Sequence, residues 1–475
     1  MVFNDLSAKT VQKISRHKKE PDWILDYRLK SLKMFEDFRK KDSIRSPKNV
    51  FAACPEKASK TSPKGVSKNL DKSKFFSPGD LTSLLQSINF DDISYYKPAD
   101  FTKQKSWEEV PSDIKATFDK LGIPEAEKRI LAGVEAQVDS EAIYGSIKNK
   151  LNAQGVVFTN IEKGLSEYPE LFRKYFGLLV KPSDNKFAAL NGAFWSGGSF
   201  LYVPKGVKVD LPLQAYFRIN ARSLGQFERT LIIAEEDSSV HYVEGCTAPL
   251  YSTDSLHAGV VEVFVGKNAS VRYTTVQNWS KNVYNLVTKK SQVEEGGKMV
   301  WVDGNLGSKL TMKYPSCYLV GENAHGEMLS VGYASDGQVL SSGARMIHQA
   351  PHTTSKVISK SIATGAGVSN YQGEVRIEKG AIGSRAYIQC DSLLLDKDSV
   401  SSSYPLLKVQ EPCSIVEHEA SATKLDEEKV RYLQSRGLDL LEVRDLLIKG
   451  FVSPIVSSLP IEYALEFNKL LESSF

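Results

Sequence analysis

Between residues 185 and about 415, apolar and polar residues alternate, and many of the apolar residues are β-branched or aromatic. Glycine, asparagine, aspartate and serine interrupt the alternation at short intervals, as is typical of turns. A period of two residues predicts half-buried β-strands, because successive side chains of a strand point to opposite faces. The block 185–248 contains no apolar period of helical length, so we predict strands and turns throughout it.

Similar turn-and-strand units recur within this region. Aligning the units at Ser239, Ser270, Lys298 and Gly326 gives spacings of 31, 28 and 28 residues. A loose repeat of short strands is typical of a β-solenoid, in which each turn buries its apolar face against the next turn. A β-sandwich is the alternative, but the region shows no sign of a second domain or of closure. We therefore predict a stacked β-solenoid.

Helical patterns precede the repeats. Residues 5–40 are charged and amphipathic. The residues between 78 and 178 predict further helices, including 142–153 and 168–176. Between these segments, residues 42–75 are rich in lysine, arginine, serine and proline. That composition predicts a flexible loop, with phosphate binding as the less favoured alternative.

Helical patterns return after the repeats. Residues 426–436 predict a helix that ends at Gly437, and residues 439–449 predict a second helix that ends at Gly450. Pro460 begins a third helical pattern. An apolar stripe on this tail is either an internal packing face or a docking surface, and it comprises Leu438, Leu441, Leu446, Leu447 and Phe451.

The chain therefore divides into three predicted parts. An N-terminal helical region spans residues 1–184 and contains the basic loop 42–75. A β-solenoid core spans residues 185–423, and a C-terminal helical domain spans residues 424–475. The length of 475 residues agrees with several parts, because single hydrophobic cores seldom grow so large.

Composition and charge narrow the function. The chain is 41% apolar and 25% charged, and its formal net charge of +4 is too small to indicate nucleic acid or an anionic membrane as a partner. No apolar run approaches the length of a membrane span, and residues 1–20 contain no signal-peptide core, so we expect a cytoplasmic protein. Five scattered cysteines fit a reducing compartment rather than a disulfide framework. Cys317 is interpreted as a packed strand residue.

Two short segments carry groups that bind iron in other proteins. Cys390 lies in a predicted strand among polar residues, and its thiolate would be the form that binds iron or accepts sulfur. Glu417, His418 and Glu419 follow 27–29 residues later, close to one turn of the solenoid, and can return beside the cysteine. Thiolate, imidazole and carboxylate together make an iron site. A small buried cysteine and a charged surface turn are the alternatives.

The ordered motifs of the chain closely resemble those of the SufB family, the scaffold subunits of the SUF iron–sulfur cluster assembly machinery. After the block 185–248 come YTTVQNWSKNVYNLVTK (273–289), WVDGNLGSKLTMKYPS (301–316), MIHQAPHTTSKVISKSI (346–362), QCDSLLLD (389–396) and EHEA (417–420). The resemblance extends from about residue 21 to the C-terminus. The chain departs from the family in the insertion-like segment 42–75 and lacks the clustered N-terminal cysteines of some members.

The resemblance implies a right-handed parallel β-helix and assigns roles to single residues. Cys246 would accept persulfide sulfur, which requires a thiol because thiolate attack transfers the sulfur. Arg218 and Asn220 would line the internal route of the sulfur, with an ion pair as the structural alternative for Arg218. Weaker candidates of the same kind are Gln277 and Asn278. Cys390 would anchor the nascent cluster, with Glu419 as the favoured second ligand and His418 as the runner-up.

Cargo and partners are likewise implied by the resemblance. The cargo is a nascent iron–sulfur cluster built from iron and sulfide, and the binding of a reduced flavin is left open. The expected partners are a SufC-type ABC ATPase on the helical tail, a SufD-type subunit or a second copy of the chain, and a sulfur donor of the cysteine desulfurase, SufE or SufU type. The chain has no Walker A motif and is expected to be a scaffold rather than an enzyme. No nucleic acid or membrane partner is expected.

Two other functions fit parts of the sequence. A β-solenoid carbohydrate enzyme uses paired acids on an exposed face, for which Glu417 and Glu419 are nominal candidates. The absence of a signal peptide and the ordered motifs argue against it. A structural platform with inert cysteines is the third hypothesis, and it predicts that the purified protein binds no iron.

Overall fold

The computed structural model describes residues 3–44, 78–97, 133–138, 141–147, 149–219, 223–248 and 253–457. Most of the predicted loop 42–75 lies outside these residues, as does the helical pattern that begins at Pro460. The described chain forms two long β-sheets, with helices before the first strands, between some of the early strands, and after the last strand in the sequence.

Each sheet gathers strands from most of the chain. The ten strands of the first sheet are β1 Gly133–Val138, β2 Glu141–Ile147, β5 Leu213–Arg218, β8 Ser239–Thr247, β11 Ser270–Trp279, β13 Lys298–Gly307, β16 His325–Ala334, β18 Thr354–Ala363, β20 Arg385–Leu394 and β22 Ile415–Lys424. The twelve strands of the second sheet are β3 Val157–Asn160, β4 Ser199–Val203, β6 Gly225–Gln226, β7 Arg229–Ala234, β9 Ser255–His257, β10 Val260–Val265, β12 Val283–Val293, β14 Leu310–Lys313, β15 Ser316–Leu319, β17 Val339–His348, β19 Val368–Ile377 and β21 Val400–Val409.

The two sheets are the walls of a parallel β-solenoid. Apart from the antiparallel pairs β1–β2 and β3–β4, the described neighbouring strands are parallel, and the chain passes repeatedly from one sheet to the other. It completes about eight turns. Apolar side chains from both sheets fill the interior, among them Tyr242, Trp301 and Met346. The predicted fold class, a β-solenoid core flanked by helices, is confirmed.

Residues with positive φ set the register of successive turns. Asp237, Asn268, Gly296 and Asn323 have φ angles of 58°, 53°, 63° and 60°, and each lies two residues before a strand of the first sheet. Glycine and short polar residues tolerate this left-handed conformation at the lowest cost, which explains why they recur at these turns.

The structure corrects the predicted repeat at one place. Ser239 pairs with Ser270, and Ser270 pairs with Lys298, as the alignment predicts. Lys298, however, pairs with His325 rather than with Gly326. The prediction is wrong there by one residue because it aligns strand residues, whereas the left-handed turn residue before each strand fixes the register.

Helices precede the strands, lie between β2 and β4, and follow the last strand in the sequence. The first seven described helices are α1 Ala8–His17, α2 Asp22–Ile44, α3 Pro78–Gln86, α4 Asn149–Ala153, α5 Ile161–Glu167, α6 Pro169–Tyr175 and α7 Lys186–Phe194. A 3₁₀ turn spans Phe90–Asp92. Two more helices, α8 Glu427–Ser435 and α9 Leu440–Val456, follow the last strand. Within the described ranges, no helix combines the length and the apolar character that crossing a membrane requires.

Helix α7 contradicts the prediction of strands and turns throughout 185–248. Asn185 caps this helix, because its side-chain oxygen accepts hydrogen bonds from the backbone N–H groups of Phe187 and Ala188 at 3.0 and 2.9 Å. Every residue from Phe187 to Phe194 is buried. A helix that is buried on all sides has no amphipathic period, so the pattern of apolar residues gives no helical signal.

The prediction of a helix over residues 142–153 is wrong for its first half. Strand β2 occupies 141–147, and only Asn149–Ala153 is helical. β2 forms a hairpin with β1, and β1 pairs in parallel with β5 of the solenoid. Strand pairing outweighs local propensity at this position. The region 1–184 is therefore not purely helical in the part that the structure describes.

The helical tail differs from its prediction at one glycine. Gly437 follows α8 with a φ of 96°, as expected of a residue that ends a helix. Gly450, in contrast, lies inside α9, which continues to Val456. The helix continues because Ile448 and Val452 are buried in one cluster with apolar residues of the first sheet. That burial outweighs the cost of an internal glycine, about 1 kcal/mol.

Candidate functional site

A column of buried polar side chains runs through the interior of the solenoid. Residues that pair in register in a parallel stack point to the same face and lie above one another. Successive pairs connect β8, β11, β13, β16, β18 and β20. The members of this polar column are Glu244, Thr275, Asp303, Ser330, Ser359 and Cys390, and all six are buried.

Cys246 lies beside the first member of the polar column. It follows Glu244 by two residues on β8 and is 3% exposed. Its thiol donates a hydrogen bond to Glu244 Oε1 at 3.6 Å, and Tyr273 donates one to Glu244 Oε2 at 2.5 Å. Burial, together with the carboxylates of Glu244 and Glu228, raises the pKa of the Cys246 thiol well above its usual range. The thiol is therefore protonated at neutral pH, and its ionisation requires a group that takes the proton.

Two buried lysines share an aspartate of the polar column. Lys289 Nζ lies 3.2 Å from Asp303 Oδ1, and Lys313 Nζ lies 3.2 Å from Asp303 Oδ2. All three side chains are fully buried. Burial lowers the pKa of Lys313 to about 8, and the charge of Asp303 opposes that change. The positive charges of both lysines lower the pKa of Cys246 and so oppose the larger effect of burial.

Cys390 lies at the other end of the polar column, on the last but one strand of the first sheet. It is 5% exposed, and its register neighbours are Ser359 and Ala420. Burial raises the pKa of the Cys390 thiol to about 12, and the hydroxyl of Tyr371, from the second sheet, opposes that rise. A cation bound at the sulfur would favour loss of the proton, because metals are held by the thiolate.

The register places Glu417 and Glu419 on the face of the first sheet that is opposite to Cys390. Glu419 pairs with Gln389, the residue before Cys390. Tyr387 donates a hydrogen bond to Glu419 Oε2 at 3.3 Å on that outer face. Both glutamates are exposed. The structure therefore does not bring the favoured second ligand, Glu419, to the thiol within one chain.

His418 shares the face of Cys390. It pairs with Ile388, which belongs to the buried interior. The Nε2 atom of His418 is buried and has no hydrogen-bond partner among the described residues. Nowhere in the described ranges do three or more His, Cys, Asp or Glu side chains come together as a metal site.

The residues predicted to line the sulfur route do not all lie on the face of the first sheet that carries Cys246. Phe217 pairs with Cys246, so strand alternation directs Arg218 to the face opposite to the thiol. Asn220 lies outside the described residues. Gln277 pairs with Cys246 in register, is fully buried, and accepts a hydrogen bond from a buried lysine at 3.2 Å. Of the route candidates that the structure describes, Gln277 is the one that lies beside the thiol on its own face.

Comparison with known proteins decides the family. Residues 217–451 match the family described as SUF system FeS cluster assembly, SufBD core domain, and residues 92–215 match the SufBD protein N-terminal region. An iron-sulfur cluster assembly SufBD family protein of Staphylococcus aureus is 50% identical over 467 residues, which cover 98% of this chain and 92% of the relative. One from Staphylococcus haemolyticus is 50% identical over 468 residues, with the same coverage.

The chain belongs to the SufBD family. Membership confirms the resemblance at the level of the family and makes iron–sulfur cluster assembly in the SUF system the general function. The family embraces SufB and SufD proteins alike. The carbohydrate enzyme, the alternative that Glu417 and Glu419 suggest, has no support in these relatives.

The last turn of the SufBD solenoid exposes apolar side chains. Strands β21 and β22 end their sheets, and each leaves one edge without a partner among the described strands. The exposed fractions of Tyr404, Leu407, Val409 and Ile415 lie between 41% and 50%. Exposed apolar residues on an unpaired edge are typical of a surface that another chain covers. Cys390 lies one strand inside this edge.

The helical tail of the SufBD protein divides the predicted apolar stripe. Phe451 packs against the apolar cluster that joins α9 to the first sheet. Leu441 and Leu446 are 64% and 51% exposed. The stripe is therefore partly an internal packing face and partly a free surface, so each alternative applies to different residues of it.

The two lysines and Asp303 form a buried charged group next to the candidate site that the sequence pattern did not reveal. Asp303 lies on the same face of β13 as Met299 and Trp301, which are both buried in the interior. A charged residue at the inward-facing position of a strand is the signal that could have revealed the group. No comparable signal exists for Lys289, because Lys290 follows it and obscures the alternation.

Proposed function

We propose that this SufBD protein is a SufB-type scaffold, which accepts sulfur at Cys246 and assembles a nascent iron–sulfur cluster at Cys390. The polar column is the observation that carries the proposal, because it joins the surroundings of Cys246 to Cys390 through the interior of the solenoid. Its hydroxyl and carboxylate groups, with the adjacent lysines, would accommodate a small polar sulfur species that an apolar core would reject.

The proposed cluster site combines the Cys390 thiolate with nitrogen or oxygen ligands. A scaffold has to release its product, so a ligand set with fewer than four thiolates suits it. Glu419 and His418 are the proposed additional ligands. The register favours His418, because it shares the face of Cys390, whereas Glu419 lies on the outer face.

A second chain would complete this site. The exposed apolar residues of β21 and β22 support dimerisation at the end of the solenoid, either with a SufD-type subunit or with a second copy. Such an interface would cover the edge next to Cys390. The exposed leucines of α9, Leu441 and Leu446, would bind a SufC-type ATPase. In this proposal the chain itself is not an enzyme, and ATP turnover in the partner opens the interface.

Anaerobic reconstitution with Fe(II) and sulfide tests the proposal. The wild-type protein should acquire the absorption and Mössbauer spectra of an iron–sulfur cluster, and Cys390→Ser should lose them. Cys317→Ser is the matched control, because Cys317 is also a buried thiol of the solenoid but lies outside the polar column. The control should bind a cluster as the wild type does.

Reconstitution should be repeated with the ATPase and SufD-type partners present. A cluster that survives Cys390→Ser unchanged would remove Cys390 from the site. The absence of any cluster in the presence of all partners would support the inert platform instead. Replacing Leu441 and Leu446 with glutamate should abolish binding of the ATPase, with helix content unchanged.

A further inference from the structure

Glu244 is the one described side chain that accepts a hydrogen bond from the thiol of Cys246. The two residues share one face of β8, and Cys246 Sγ lies 3.6 Å from Glu244 Oε1. Both side chains are 3% exposed. The second carboxylate oxygen is held by the hydroxyl of Tyr273 at 2.5 Å, so the carboxylate is fixed with one oxygen directed at the sulfur.

Other charged groups surround this pair without touching the thiol. Glu228 and His257 form a buried ion pair, and Lys289 and Lys313 both pair with Asp303. All four contribute to the electrostatic field at Glu244 or at Cys246. The hydrogen bonds of Glu228 and the lysines that the structure records go to other partners. Among the side chains that the structure describes, Glu244 alone combines a charge with a contact to the thiol.

We propose that Glu244 is the general base and general acid of sulfur transfer to Cys246. This inference rests on the proposed function, since it assumes that Cys246 accepts sulfur. The Glu244 carboxylate takes the thiol proton, and the resulting thiolate attacks the terminal sulfur of a donor persulfide, R–S–SH. A new S–S bond forms at Cys246 while the S–S bond of the donor breaks, and R–S⁻ leaves. Glu244 returns the proton to R–S⁻, so the products are Cys246–S–SH and R–SH, with no net oxidation.

The environment suits that role. Burial raises the pKa of the Glu244 carboxyl, and the charge of Lys289 opposes the change. A carboxylate with a raised pKa is a stronger base, and its conjugate acid forms more readily when a thiol gives up its proton. The thiol contacts the carboxylate directly, so no solvent molecule is needed to carry the proton between sulfur and oxygen.

Two charge-matched substitutions test the inference. The full-length protein would be treated anaerobically with glutathione persulfide, and persulfide at Cys246 would be followed by mass spectrometry after alkylation. Glu244→Gln should slow the loading on the order of a hundredfold. Glu228→Gln removes an equal buried charge without touching the thiol, and it should not slow the loading. If Glu244 acted only through its charge, Glu244→Gln would instead speed the loading, because less negative charge favours the thiolate.

A second variant keeps the test decisive if Glu244→Gln folds poorly. Tyr273→Phe removes the hydrogen bond that lowers the pKa of Glu244. The base form of Glu244 exists above its pKa, so the acid limb of the loading rate should move to higher pH. A merely structural role would reduce the rate equally at every pH and would overturn the inference.

The outcomes also separate this inference from the proposed function. If the wild type and Glu244→Gln acquired persulfide equally fast, the role of Glu244 would be refuted and sulfur acceptance at Cys246 would stand. A wild type that gains no persulfide at Cys246 would refute sulfur acceptance itself, and the role of Glu244 with it.

Discussion

The two cysteines at the ends of the polar column occupy contrasting surroundings. Cys246 lies among ionisable groups, with Glu244 in contact and two lysines nearby. Cys390 lies among hydroxyl and apolar groups, with Ser359 and Tyr371 beside it, one strand from an exposed edge. Both thiols are buried and have raised pKa values, but only Cys246 has a base in contact with it. Under the proposed function, Cys246 would ionise with the help of its own chain, whereas Cys390 would need a ligand or a partner.

The largest expected difference concerns the source of sulfur. With Fe(II) and a persulfide donor, both Cys246→Ser and Cys390→Ser should fail to form a cluster. With Fe(II) and free sulfide, Cys246→Ser should form a cluster at the wild-type yield, because sulfur no longer has to be accepted by its thiol. Absorption spectroscopy under anaerobic conditions measures both cases. If both variants lost the cluster equally with free sulfide, the two cysteines would not have the different roles proposed for them.

Substitutions at the charged end of the polar column should lower the free energy of unfolding more than substitutions at its hydroxyl end. Asp303→Asn leaves two buried lysines without their counter-charge and should lower the free energy of unfolding by about 3 to 5 kcal/mol. Ser359→Ala, at the hydroxyl end, removes one hydrogen bond with Ser330 and should cost about 1 kcal/mol. Urea denaturation of the two variants gives the comparison. Similar losses in both would show that the lysines do not depend on Asp303.

Titration of Lys313 should make the free energy of unfolding depend on pH. Its pKa in the folded protein is about 8, below the usual 10.5, so between these values the folded state binds fewer protons than the unfolded state. Stability therefore rises with pH across this window, by at most about 1.4 kcal/mol per pH unit for one group. Lys313→Met should remove that increment. Urea denaturation at several pH values checks it, and parallel curves for the wild type and the variant would contradict it.

The smallest effect on stability is expected at the exposed edge. Leu407→Glu and Ile415→Glu replace side chains that are 43% and 50% exposed, so each should change the free energy of unfolding by less than about 0.5 kcal/mol. The same changes should weaken association at the end of the solenoid, which sedimentation velocity measures. Leu178→Glu, at an equally exposed position far from the edge, is the control. Unchanged association in the edge variants would show that the partner binds elsewhere.

The sequence was informative wherever the local pattern and the fold agree. Alternation and repeat spacing predicted the solenoid, and Gly437 marked the end of α8. The misses share one physical cause, which is that tertiary packing outweighs the local signal of the sequence. Helix α7 has no polar face, β2 follows its hairpin partner, and α9 passes through Gly450 because its apolar face packs on the first sheet.

The site divides in the same way. The sequence alone determined that Cys390 and the segment Glu417–Glu419 carry residue types suited to binding iron, and its resemblance to the SufB family added Cys246 as the sulfur acceptor. Only the tertiary structure decided that His418 shares the face of Cys390 and that Glu419 does not. It also decided that Lys289 and Lys313 meet at Asp303, two strands from Cys246. The reason is that register between turns, about thirty residues apart in sequence, fixes which side chains meet, and one residue of slip moves every side chain to the other face.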